Sequence, residues 1–228
     1  MRDVTGGTGP HAGQLIATAG TPLGEAAAAL ILVHGRGGDA GEILGLAELV
    51  APPALACLAP QASGNTWYPY RFTEPVARNE PYLSSGLSVL GDLVDGLVRN
   101  GVAVKRIALL GFSQGACLAL EFARRRAQRI GAVLGLSGGL IGDEIAPASG
   151  QRIFAGMPVL LGCSEHDPHI PIGRVRETDA VMQALGAEVV TRIYPGSSHG
   201  INEDEIGIAR QILARIAGTN SPASGSRQ

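Results

Sequence analysis

Ser113 stands where an apolar run, Ile107-Ala-Leu-Leu-Gly-Phe112, meets a helix-forming run, Gln114-Gly-Ala-Cys-Leu-Ala-Leu-Glu-Phe-Ala123. A strand that reverses into a helix within a few residues strains the residue at the turn and pushes its side chain outward. Gly111 and Gly115, in the pattern Gly-x-Ser-x-Gly, leave room for the two elements to close on each other. The Ser113 hydroxyl is therefore a candidate nucleophile for attack on a carbonyl carbon.

The pattern occurs twice. Gly135-Leu-Ser137-Gly-Gly139 also comes after an apolar run, and with 33 glycines among 228 residues a chance match is a live risk. Past Ser137, the stretch Leu140-Ile-Gly-Asp-Glu-Ile-Ala146 carries no sustained helical periodicity. After Ser113, by contrast, Ala116, Leu118, Ala119, Leu120, Phe122 and Ala123 favour a buried helix, and Arg124 to Arg126 suit its C-terminus. Ser137 reads as a strand end.

A serine hydroxyl is protonated at neutral pH and needs a base. Of five histidines, His169 and His199 lie beyond a suitable acid, and His199 comes after the strand-like run Glu188 to Tyr194 and before the last helix. An imidazole there can take the serine proton during attack and return it to the leaving group; a plain surface-loop histidine is the other reading of the position. Asp167, beyond the strand-like run Val159 to Gly162, can accept the second imidazole N–H, hold the tautomer and stabilise the imidazolium. Pro168 fixes the turn there. Glu165 is the nearest rival for the acid, and Asp143 and Glu144 offer one from the preceding strand end.

Glu165-His-Asp-Pro-His169 also has the residue types of a metal site. Proline interrupts the segment, so its histidines do not share a helix face, and no third ligand stands nearby; neither a metal nor another cofactor is expected. Attack on a carbonyl instead requires hydrogen-bond donors for the oxyanion. The run Ala29 to His34 ends in the glycine-rich His34-Gly-Arg-Gly-Gly-Asp39, which exposes backbone N–H groups at a strand end, as a tight strand-to-helix connection also would. The Gln114 N–H, directly after the nucleophile, supplies a second donor. His34 precedes the serine, the wrong order for the base, and reads as shaping its loop.

These residues need a scaffold that brings strand ends together. Strand-like runs at Leu15 to Ala19, Ala29 to His34, Leu55 to Ala59, Ile107 to Leu110, Ala132 to Leu136, Val159 to Gly162 and Glu188 to Tyr194 alternate with helical patterns. The helical patterns run near Glu42 to Val50, Tyr82 to Arg99, Gln114 to Arg126, Gly173 to Leu185 and Asn202 to Ile216. The clearest places Leu83, Leu87, Leu90, Val94 and Leu97 on one apolar stripe. Such alternation predicts an α/β fold with a mostly parallel central sheet of about seven strands and helices on both faces. In open sheets of this type ligands sit outside the carboxyl ends of the strands, where the oxyanion loop, Ser113, Asp167 and His199 all fall.

Composition narrows the function. Charged residues make up 17% and the net charge is −2, which offers no basic face for nucleic acid or an anionic membrane. No run is long enough to cross a bilayer and the N-terminus lacks a signal-peptide core, so a cytoplasmic protein without stable membrane insertion is expected. Cys57, Cys117 and Cys163 are odd in number, widely spaced and set in apolar sequence, as buried free thiols are. The expected organisation is an N-terminal extension over 1–13, one domain over 14–217 and a disordered polar tail over 218–228. A homodimer is compatible with all of this.

The segments Leu32-Val-His-Gly-Arg-Gly-Gly38, Gly111-Phe-Ser-Gln-Gly-Ala116, Asp167-Pro-His-Ile-Pro171 and Ser198-His-Gly200 resemble the phospholipase/carboxylesterase family of α/β-hydrolases, which includes the acyl-protein thioesterases. The resemblance covers residues 14 to 216. It implies the α/β-hydrolase fold, Ser113 as nucleophile, Asp167 as acid, His199 as base, and the backbone N–H groups of Arg36 and Gln114 as the oxyanion hole. Eukaryotic thioesterases of the family usually have a small apolar residue where Arg36 stands, and a guanidinium here would lie near the mouth of the site. Residues 67–72, Trp-Tyr-Pro-Tyr-Arg-Phe, resemble bacterial members with small-molecule esterase roles.

Trp67, Tyr68, Tyr70, Phe72 and Tyr82 cluster in a chain that is only 4% aromatic. With Ile170 beside the acid, Trp67, Tyr68, Tyr70 and Phe72 are the expected walls of an acyl or aromatic pocket; an ordinary packed loop is the alternative. The expected activity is hydrolysis of small-molecule carboxylic esters or thioesters, with an acyl-protein thioesterase or lysophospholipase as the second reading. A dienelactone-type hydrolase would need a cysteine at the elbow tip, although Cys117 lies close by on the helix. A non-catalytic binding protein on the same fold is the reading of another class.

Overall fold

Every residue of Ala28–Val33 is fully buried, the mark of a strand covered on both faces. The computed structural model describes residues 8–146 and 151–219. Among them seven strands form one sheet: β1 (Ile16–Gly20), β2 (Ala28–Val33), β3 (Leu55–Pro60), β4 (Ile107–Phe112), β5 (Ala132–Leu136), β6 (Pro158–Ser164) and β7 (Glu188–Tyr194). The order is β1-β3-β2-β4-β5-β6-β7; β1 runs antiparallel at one edge and every other neighbouring pair is parallel. The helices are α1 (Ala40–Val50), α2 (Tyr82–Arg99), α3 (Gln114–Arg126), α4 (Ile172–Ala184) and α5 (Glu203–Ala217). The α/β fold expected from the alternation is thus the observed one.

The two-residue period of a strand sorts the core into two layers. Ala29, Ile31 and Val33 of β2 face α2, α3 and α4, where Leu90, Leu97, Leu118 and Met182 fill one cluster. Ala28, Leu30 and Leu32 face α1 and α5, which contribute Ile43, Val50, Ile212 and Leu213 to the other. Each fully buried Leu or Ile stabilises the fold by about 1.5–3 kcal/mol, so both layers must be filled for β2 and β4 to stay at the centre.

Local sequence starts the helices next to the site. Asp39 caps α1 by accepting the Glu42 N–H at 2.8 Å. Asn202 and Glu205 form a reciprocal capping box on α5, three residues past His199. Burial pushes the Glu205 carboxyl up.

Residues 8–13, expected within an N-terminal extension, lie against the fold. His11 is fully buried; its Nδ1 accepts the Ser63 N–H at 3.1 Å, so its Nε2 donates to the Trp67 carbonyl at 3.0 Å. The polar tail expected over 218–228 lies outside the described residues after Thr219, and residues 1–7 of the extension lie outside them as well.

Candidate active site

Ser113 sits between β4 and α3 with φ 54° and ψ −119°, a region that costs a non-glycine residue about 1–3 kcal/mol. The surroundings enforce it. A Cβ on Gly111 would collide with the Gly115 backbone, and one on Gly115 with the Val33 carbonyl, so only glycines let the strand, the turn and β2 approach this closely. The Ser113 N–H donates to the Leu136 carbonyl at 2.9 Å, and its carbonyl accepts the Cys117 N–H at 3.1 Å.

His199 Nε2 lies 2.9 Å from Ser113 Oγ, and its Nδ1 lies 2.8 Å from Asp167 Oδ2. With the carboxylate as acceptor, Nδ1 carries the proton and Nε2 is free to accept from the hydroxyl. The Asp167 side chain is fully buried while that of His199 keeps 19% exposure, so the acid is dry and the base opens toward the cavity. Burial raises the Asp167 carboxyl, but hydrogen bonds from His199 and from the His169 and Ile170 N–H groups outweigh it and hold the group below its ordinary value. The loops that carry acid and base are stitched together. Glu165 N–H donates to the Tyr194 carbonyl, His166 N–H to the Gly196 carbonyl, and Ser164 Oγ to the Ser198 carbonyl at 2.6 Å.

The rival acids lie elsewhere. Glu165, Asp143 and Glu144 are exposed, and none bonds to His199. His169 packs edge-on against the His199 ring, with centroids 4.8 Å apart. Among the described residues no three His, Cys, Asp or Glu side chains converge as a metal site would need. Ser137 is buried at the end of β5. Burial pushes the Cys117 thiol up to about 12, which keeps it protonated and unsuited to attack.

The loop after β2 runs against the nucleophile: a Cβ on Gly35 would stand 3.3 Å from the Ser113 Cβ. Gly37 and Gly38 N–H groups are taken by the Asn65 and Gly35 carbonyls. The Arg36 N–H, between them and Gly35, and the Gln114 N–H, in the first turn of α3, have no backbone acceptor among the described residues. His34 shapes this loop. Its Nε2 accepts the Ala62 N–H at 3.1 Å, its Nδ1 donates to the Gly35 carbonyl at 2.8 Å, and burial lowers its pKa.

A cavity of about 740 Å³ opens beside Ser113 and His199. The Phospholipase/Carboxylesterase family model matches residues 17–216. The chain belongs to the phospholipase/carboxylesterase family. The solved phospholipase/carboxylesterase from Dyadobacter fermentans DSM 18053 is similar at 37% identity with a TM-score of 0.84, covering 90% of this chain and 99% of that one. Acyl-protein thioesterase 1 of Gibberella zeae is 29% identical over 129 residues, 54% of each chain. Lysophospholipase-like protein 1 of Mus musculus is 26% identical over 157 residues, 68% of this chain and 66% of its own length. The match therefore spans about half the length of the fungal relative.

In this chain Tyr68, Tyr70, Phe72 and Ile170 line the cavity. Trp67 does not, and this corrects the expectation. It is fully buried behind the wall, where its Nε1 donates to the His34 carbonyl at 2.9 Å and its ring packs on His11 and His34. An indole N–H needs a buried acceptor, and the end of β2 supplies one. The Arg36 guanidinium reaches the cavity, but it is spent on the loop, donating to the Tyr68, Pro69 and Tyr70 carbonyls at 2.8–3.0 Å. Gln114 acts likewise: Oε1 accepts the Trp67 N–H at 2.8 Å and Nε2 donates to the Tyr68 carbonyl at 2.8 Å. Both candidate oxyanion donors thus belong to residues whose side chains clamp the aromatic loop. These partners are 32–47 residues away in the chain, and no local pattern announces them.

Proposed function

We propose that this chain is a serine hydrolase of carboxylic esters or thioesters, with Ser113 as nucleophile, His199 as base and Asp167 as acid. The observation that carries the reading is the continuous relay from Ser113 Oγ through His199 to Asp167, with links of 2.9 and 2.8 Å. Ser113 Oγ attacks the carbonyl carbon as His199 Nε2 takes the hydroxyl proton. The oxyanion is received by the N–H groups of Arg36 and Gln114, each donor contributing about 2.7–4 kcal/mol to the transition state. The imidazolium then returns its proton to the departing alcohol or thiol. Water, deprotonated by the same imidazole, cleaves the acyl-enzyme, releasing the acid and restoring Ser113.

The cavity volume and its walls of Tyr68, Phe72, Phe112 and Ile170 support small acyl or aromatic esters as substrates. The names of the fungal and mouse relatives favour a second reading, thioesterase or lysophospholipase activity, which a preference for long acyl chains on peptides or glycerophospholipids would carry. Cytoplasmic residence fits three cysteines that are all buried and unpaired; no helix among the described residues is long and apolar enough to cross a membrane.

A fluorophosphonate probe tests the assignment. The parent protein labels and Ser113→Ala does not; equal labelling of the two overturns it. A folded protein inert across p-nitrophenyl esters and acyl thioesters would instead support the binding-protein reading.

A further inference from the structure

The cavity beside Ser113 is more basic than the chain that contains it. Arg36, Arg71 and Arg78 line it with Glu74 as the sole carboxylate among the lining residues, whereas the whole chain has a net charge of −2. Glu74 is taken by Arg78 at 2.8 Å, and Arg36 is committed to three carbonyls. The Arg71 guanidinium makes no ion pair among the described residues. Arg36 keeps its positive charge at the wall, because carbonyls do not neutralise it, and Arg71 and Arg78 together outweigh Glu74 by one further charge.

The segment that bears them is braced. Fully buried Asn79 accepts the Tyr70 N–H at 2.9 Å and donates to the Arg71 carbonyl at 3.2 Å, and the Glu74 N–H donates to that same carbonyl at 3.1 Å. The Arg78 guanidinium stacks over the Tyr70 ring, 4.3 Å from its centroid, which keeps its charge at the wall. A guanidinium offers a planar fork of donors that fits a carboxylate or a phosphate, and it stays charged at any working pH.

We propose that the Arg71 and Arg78 wall is a subsite for an anionic group, carboxylate or phosphate, carried by the ester or thioester substrate. The apolar part of that substrate packs on Tyr68, Phe72 and Ile170. The proposal rests on the ester-hydrolase reading, and the test separates the two.

Two matched pairs of esters are compared by kcat/KM. Monomethyl terephthalate against methyl 4-carbamoylbenzoate places a carboxylate or its neutral amide on the acyl side. Butanoyl-glycerol 3-phosphate against butanoyl-glycerol places a phosphate or nothing on the alcohol side. The anionic member of at least one pair is favoured by about tenfold at low ionic strength, and the pair that shows it identifies the source of the anion. That preference shrinks to about twofold at roughly 0.5 M salt, because the wall is open to solvent. In Arg71→Gln/Arg78→Gln the ratio within the pair falls to about one, the neutral ester serving as internal reference. Parity in both pairs, or a preference that survives the double substitution, overturns the subsite and leaves ester hydrolysis standing. Failure to turn over any of the four esters overturns the subsite, and the hydrolase reading falls with it only when the fluorophosphonate probe also labels the parent and Ser113→Ala equally.

Discussion

Ser113 and Ser137 occupy equivalent places at the carboxyl ends of neighbouring parallel strands, β4 and β5, and each is the centre of a Gly-x-Ser-x-Gly segment. Both are left-handed, with φ 54° and 53°. They differ in what lies beyond the turn. Ser113 opens into a helix of 13 residues, and its hydroxyl meets His199. Ser137 opens into an irregular buried stretch, and its Oγ has no partner among the described residues. That stretch is held by side chains from two helices. Glu121 accepts the Ile141 N–H, Thr178 accepts the Leu140 N–H, and Arg174 donates to the Leu140, Gly142 and Asp143 carbonyls. Motif and backbone strain are therefore common to both serines. A neighbouring base and an open face distinguish the reactive one.

On this comparison, substitutions at the first segment remove activity and spare the fold, those at the second spare activity, and loss of the side chains that hold the second segment damages the fold. The largest effect belongs to Ser113→Ala, which lowers kcat on a p-nitrophenyl ester by on the order of a million-fold; Ser137→Ala stays within about threefold of the parent in the same assay. Its Tm is unchanged or raised, since a buried hydroxyl without a partner costs about 1–3 kcal/mol. Asp167→Asn comes next with a loss of about 10⁴ in kcat, because the amide favours the wrong imidazole tautomer, and circular dichroism of the variant matches the parent. A stability loss as large as its catalytic one would erase the distinction.

Arg174→Met inverts the pattern. It leaves three carbonyls of the second segment without their donor, so urea unfolding reports a loss of about 3 kcal/mol or more, while kcat of the folded fraction changes little. The smallest effect is in pH. Burial lowers the pKa values of His11 and His34 from 6.5, and each accepts a backbone N–H through a neutral ring nitrogen. The unfolded chain therefore binds these protons first. Their contribution is complete above pH 6.5 and is lost as pH falls toward the folded values. Asp167, held below 3.8, keeps its contribution above that value and loses it as pH falls through its lower folded pKa. Tm measured from pH 8 to 3 separates the two windows; a flat Tm between pH 7 and 5 speaks against the histidine contribution.

Much of the scaffold was legible in the residues. Strand runs such as Ala132–Leu136 and Glu188–Tyr194, and the helix Tyr82–Arg99, occur at the bounds their periodicity and punctuation suggest. Ser113, Asp167 and His199 stood out because each comes after a strand in the order such a site requires, and the fold brings all three within hydrogen-bond reach. Trp67 was misplaced because aromatic clustering does not reveal which ring finds a buried acceptor. The clamps of Arg36 and Gln114 and the burial of His11 were invisible for a related reason: each joins residues that only folding makes neighbours.

The chain by itself determined which stretches become strands and helices, and which serine leads into a helix, because periodicity and turn chemistry act over a few residues. Tertiary structure decided the rest. The packing of β2, β4, β6 and β7 carried the candidate residues to one edge, and side chains 32–47 positions apart joined the aromatic loop to the candidate oxyanion donors. Hydrogen-bond partners far apart in the chain are a property of the assembled core, and no local pattern of residues encodes them.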